Sequence, residues 1–194
     1  MSLILLDAVC VIVAVGSFAQ RITGMGFALI AAPFLVLLLG PHQGVILSNL
    51  ASAATSLLVL GRVFRQVEWK KYLWLVLPAL VGIVPGALLS VHLDPAWLEL
   101  CIGSLLVVAL VVSIAAQHVS VTSTGVAPPV LAGFFAGLTS AAAGTSGPPI
   151  SMYAVLTRWP QLAFAATVQP LFLTLGITSV VAKLALDPTR WPDP

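Results

Sequence analysis

Apolar residues dominate eight segments of the chain, 3–19, 27–39, 45–60, 72–91, 98–116, 126–143, 148–157 and 162–184. Short stretches of glycine, proline and charge separate them. A helix needs about 20 residues to cross a bilayer. Four or five segments reach or approach that length, while 27–39 and 148–157 are too short to cross alone as straight helices. Each short segment directly follows a glycine-bearing break, "TGMG" at 23–26 and "GTSG" at 144–147. Both therefore read as half-helices or parts of broken helices. The pattern predicts an all-α membrane protein, a polytopic helical bundle with broken helices.

The order of features recurs along the chain. A helix with small residues leads into a glycine break, then proline (Pro33; Pro148 and Pro149), then a short apolar run. A proline turn follows (Pro41; Pro160), then a helix opened by glutamine (Gln43; Gln161). The landmarks are offset by about 116–119 residues, the sign of an internal repeat. The first unit, 1–120, continues with two further spans. The second, 121–194, stops at "DPTRWPDP" with no counterpart to either, so the repeat expects a second unit truncated by two helices. Five segments per unit is an odd number, so the second unit is expected to be inverted, as in many secondary transporters.

Composition narrows the class. Of 194 residues, 60% are hydrophobic and 7% charged, against about 25% charged in soluble domains. A soluble core is excluded on that ground. The net charge of +2 and the lack of a basic, aromatic-studded face exclude nucleic acid as a partner. The first residues, "MSLILLDAVCVIVAVG", lack a positive n-region, carry Asp7 and precede further spans, so they read as a retained helix rather than a signal peptide. Four of the eight basic residues lie in the 61–71 loop, which the positive-inside rule makes cytoplasmic. Loop 92–97 has Asp94 and no Lys or Arg, and counting crossings puts 117–125 and Arg158 inside.

The candidate chemistry is sparse. Cys10 and Cys101 match no metal spacing and no disulfide framework. His42, His92 and His118 fall in predicted loops, so no catalytic set, metal site or cofactor site is expected. The breaks carry the strongest signal. A half-helix N-terminus presents unpaired N–H groups and the positive end of the helix dipole, which together suit an anion. Thr23, Thr145 and Ser146 add hydroxyl donors, and Gly24, Gly26, Gly144 and Gly147 permit close approach. Two such ends meeting near the midplane would form a central pocket. The other reading is a pair of kinks that only let helices pack.

A polar stripe on 45–60 holds Ser48, Asn49, Ser52, Thr55 and Ser56 within an arc of about 120° at 100° per residue. It lines a path or glues helices together. Asn49 is expensive in lipid and favours the pocket. In the second unit Thr167, Thr174 and Thr178 share one face, from which Gln169 projects away. Arg21 and Lys183 lie near span ends and read as snorkelling to the interface, an end that Gln20 also marks. For Arg21 the other reading is a cation beside an anion pocket. Gly82 and Gly86, and Gly133 and Gly137, have the spacing of helix-packing pairs, which Ala132, Ala136 and Ser140 extend.

Two regions, "AQRITGMGFALIAAPFLVLLLGP" and "GFFAGLTSAAAGTSGPPISMYAVLTRWPQLAFAATVQ", resemble the signature regions of the TauE/SafE family of membrane permeases. So do the "DPAWLEL" turn and the loop ending "VEWKKYLWLVLPALVGIVPGALL". The resemblance covers nearly the whole chain. It implies a multi-pass protein of the bacterial inner membrane with a duplicated helical unit, exporting a small anion such as sulfite or a sulfonate. Where family members carry a glycine pair or triplet in the second break, this chain keeps glycine at both ends, Gly144 and Gly147. The expected partners are a small anionic substrate, the lipid bilayer and a coupling ion, proton or sodium. A passive anion channel and a non-transporting scaffold are the alternatives.

Overall fold

The computed structural model describes the backbone of residues 3–23, 26–92 and 125–186, with 96–97, 100, 104, 107 and 111 between them. Side chains of 3–6, 19, 21–30 and 41–42 lie outside the described set. Among the described residues all regular structure is helical. The order is α1 (Leu3–Thr23), α2 (Gly26–Leu39), α3 (Pro41–Val63), a 3-10 turn (Phe64–Gln66), α4 (Trp69–His92), α5 (Ala127–Ala143), α6 (Gly147–Leu156) and α7 (Gln161–Leu186). The two short segments are separate helices, α2 and α6, as the glycine breaks predict. Residues 96, 97, 100, 104, 107 and 111 are helical, and the rest of segment 98–116 lies outside the described residues.

Among the described residues three helices are long and apolar enough to cross a membrane, Gln43–Gln66, Trp69–His92 and Gln161–Leu186. Their outer faces show what surrounds them. On α4 the buried face is Leu75, Val76, Ala79, Gly82, Ile83, Gly86 and Ala87. The opposite face holds Leu77 at 61% and Val81 at 64% exposure, with Leu73 and Val84 also exposed. Water would make such a stripe an aggregation site, whereas hydrocarbon solvates it without cost. Small residues inside and large ones outside is the arrangement membrane helices adopt, because close backbone approach rather than hydrophobic exclusion holds them together.

The tightest contact, α4 on α5, follows this rule. A Cβ on Gly82 would overlap the Phe134 carbonyl, and one on Gly86 the Leu138 carbonyl. From the other side, Gly133 lies against the Leu75 carbonyl and Gly137 against the Ala79 carbonyl. Both glycine pairs are thus consumed in one interface, as their spacing predicts.

Cross-helix contacts fix the directions. Gly133 faces Leu75 and Gly137 faces Ala79, so α5 runs with α4. The Glu68 amide donates to Thr167 Oγ1 (3.0 Å), and Tyr72 and Thr174 share a hydroxyl bond (3.0 Å), so α7 also runs with α4. Gly176 packs on Asn49 and Ala53, while Gln169 reaches Ser56 through Gln20, so α7 runs against α3. Val9 on α1 clusters with Ala31 and Leu35 on α2, against Leu47 and Ala51 of α3. Thr167 and Thr174, on the threonine face of α7, therefore look toward α4.

At one end of the bundle Lys71 pairs with Glu68 (2.7 Å) and lies 4.4 Å from the centre of the Trp159 ring. The basic loop and the Arg158 turn therefore lie on the same side, as counting crossings expects. Both partners of the ion pair are more than a third exposed. Lys71→Ala is accordingly expected to change thermal stability by less than about 1 kcal/mol, read from the melting temperature of the purified protein in detergent.

Candidate functional site

The second break is built by glycine. α5 ends at Ala143, and Gly144 turns the chain at φ 70°, ψ 16°, a left-handed conformation that glycine adopts without a Cβ penalty. Its N–H donates to the Ser140 carbonyl (3.0 Å), and the Thr145 N–H reaches back six residues to the Thr139 carbonyl (3.4 Å). This is a Schellman-type closure that satisfies the last carbonyls of α5. α6 then starts at Gly147. Every residue from Thr139 to Ile150 is buried. Protein, not lipid, surrounds the break.

The N-terminus of α6 is left with few donors. Pro148 and Pro149 have no N–H, so the run of N–H groups expected across the half-helix start shrinks to the Ser146 and Gly147 amides. Neither finds a carbonyl partner among the described residues. Ser146, at the N-cap, makes no side-chain capping bond. Beside them Thr145 is 6% exposed, and its Oγ1 is buried with no hydrogen-bond partner. An unpaired buried polar group costs about 1–3 kcal/mol. Unfilled donors converging at the positive end of a helix can hold an anion without a charged side chain.

α3 braces this break. Ser48 Oγ donates to the Gly144 carbonyl (3.3 Å), and Asn49 Nδ2 donates to the Ser140 carbonyl (3.0 Å). Ser140 Oγ returns a bond to Asn49 Oδ1 (3.2 Å) and takes one from Ser179 Oγ of α7 (3.1 Å). Both ends of the Asn49 amide are engaged within the protein, one turn before Gly144. The side chain positions the break, and its bonds are those of interhelical glue.

At the first break Thr23 is the last residue of α1 and Gly26 the first of α2. Gly24 and the Thr23 side chain lie outside the described residues, as does the Arg21 side chain. Three residues earlier, Gln20 is 1% exposed rather than interfacial. Its Nε2 donates to Ser56 Oγ (2.7 Å) and Gln169 Oε1 (3.2 Å), while its own Oε1 is buried without a partner. Gln169 Nε2 in turn holds the Ala165 carbonyl (2.9 Å). Gly144 packs on Val45 and Ser48, so the two polar clusters meet α3 about eight residues apart, roughly 12 Å along its axis. Gln20 and Gly144 thus meet the α3 polar stripe at different depths.

Sequence reasoning also placed Lys183 wrongly. It does not snorkel to the surface; it is 1% exposed inside α7. Of the residues that build the two clusters, Gln20 read as an interfacial end and Ser140 as packing. Ser179 gave no signal beyond being a small polar residue on a long helix.

The sulfite exporter TauE/SafE family matches residues 8–193. No curated protein and no solved structure matches the chain. The family match leaves only the first turn of α1 outside it among the described helices, and the lipid-facing bundle is that of a membrane protein. The chain belongs to the sulfite exporter TauE/SafE family, a family of membrane transporters.

Proposed function

We propose that the protein is a multi-pass permease of the bacterial inner membrane that carries a small anion, sulfite or a sulfonate, by alternating access. The second break is its binding site, with the loop 61–71 on the cytoplasmic side. Thr23, Gly24 and Gly26 serve the first break in the same way. One observation carries the reading: the Thr145 hydroxyl is buried and unpartnered beside the free amides of Ser146 and Gly147. A ligand that accepts from these donors would remove that cost.

The spacing of the helix ends supports an inverted repeat, and with it the mechanism. Helices α1 and α5 end at Thr23 and Ala143, and α3 and α7 begin at Pro41 and Gln161, both pairs 120 residues apart. The same offset carries the Gln20–Gln169 bond onto the Ser140–Asn49 bond. Each bond joins the helix before one break to the long helix of the other unit. Two equivalent latches on antiparallel α3 and α7 suit a carrier in which one closes as the other opens.

Flux of sulfite, sulfonates, thiosulfate and carboxylates into proteoliposomes tests the reading. Saturable flux of one anion class is expected. Thr145→Val keeps the side-chain shape and removes one hydroxyl, so it should raise KM about tenfold with little change in melting temperature. Flux that does not saturate makes the protein a channel. Complete absence of flux for every anion makes it a scaffold.

A further inference from the structure

Among the described residues Lys183 is the one buried cation, and the transport reading does not use it. It is 1% exposed and stands among the largest fully buried side chains. Among the described residues the ion pair is Lys71 with Glu68, and no hydrogen bond reaches Lys183. A lone ammonium inside protein at membrane depth is costly, and such groups face a bundle interior or a pathway and pair with an opposite charge. Neither α3 nor α5 carries a carboxylate, and the residues shown against this face of α7 are Asn49 and Ala53 of α3 and Ser140 of α5.

The register of the helices places Lys183 at the second break. Ser179 Oγ touches Ser140 Oγ (3.1 Å). Both α5 and α7 run with α4, so one turn onward from Ser140 is Gly144 and one turn onward from Ser179 is Lys183. Lys183 also lies two turns beyond Gly176, on the same stripe of α7, and Gly176 packs on Asn49 and Ala53. That stripe faces the crevice where α3 braces the break.

We propose that Lys183 is the counter-charge of the transported anion, and that the ligand of the second break is an oxyanion held between this ammonium and the Ser146 and Gly147 amides. The proposal rests on the reading of that break as the binding site. It adds what amides and hydroxyls alone do not supply, a full charge that selects anions over neutral solutes of the same shape.

The test is sulfite flux in proteoliposomes together with sulfite-dependent thermal shift of the purified full chain, for wild type, Lys183→Met and Lys183→Arg. Methionine keeps the length and bulk of the stem. It should raise KM by about tenfold or more and abolish the thermal shift without lowering the melting temperature of the unliganded protein. Arginine should recover most of both. If Lys183→Met does not fold, Lys183→Gln takes its place with the same expectation. A neutral variant with wild-type KM and thermal shift overturns the proposal and leaves the transport reading standing. A wild-type protein with neither saturable flux nor a shift overturns both.

Discussion

Gly137→Leu is expected to remove the folded protein from the membrane fraction altogether. The new Cβ would stand inside contact distance of the Ala79 carbonyl, carbonyl carbon and Cα. These are backbone atoms of a helix and have no alternative rotamer. Overpacking a core where side chains can yield costs about 1–3 kcal/mol. Here α4 and α5 have to separate, which also breaks the contacts at Gly82, Gly86 and Gly133. A loss of several such contacts rivals the whole stability of a typical fold, about 5–15 kcal/mol. Gly61→Leu is the control, because nothing lies within 4 Å of a Cβ there. Fluorescence-detected size exclusion should show a monodisperse peak for Gly61→Leu and none for Gly137→Leu. A sharp peak for both would disprove the glycine interface.

Asn49→Leu should be the next most damaging change. It removes both bonds to Ser140 and leaves the Ser140 carbonyl buried with one partner fewer. Interhelical hydrogen bonds in membranes average about 0.6 kcal/mol and reach about 1.7, but the Ser140 hydroxyl, left buried without its acceptor, adds about 1–3 kcal/mol. A melting temperature lower by several degrees is therefore expected. Ser140→Ala alone should cost less, since the Asn49 amide keeps the Ser140 carbonyl. The double variant should be milder than the sum of the singles, because Asn49 Oδ1 and Ser140 Oγ are each other's partners. Strict additivity in that cycle would show that the two residues do not act together.

Much of this architecture is visible in the sequence because it rests on residues with unusual backbones. Glycine and proline announce both breaks, and the glycine spacing announces the α4–α5 interface. Gly144 is at positive φ where the "GTSG" stretch says the helix must stop. The stripe on α3 is likewise visible as a period. What stays hidden depends on contacts across long stretches of chain. Gln20 and Gln169 are 149 residues apart, and Asn49 and Ser140 are 91 apart. A glutamine near the end of an apolar run looks interfacial until a second helix covers it. Lys183 looks able to snorkel for the same reason. Hydropathy measures depth along one helix, and burial in a bundle depends on its neighbours.

The adjacent prolines at the start of α6 have a practical consequence. Proline has no exchangeable amide hydrogen, so positions 148 and 149 are silent in hydrogen–deuterium exchange. The Gly144 and Thr145 amides are already engaged within the α5 closure. At this turn, Ser146 and Gly147 are left as the two reporters that an arriving anion would slow. Protection confined to that dipeptide would be a direct readout of occupancy against an almost blank background.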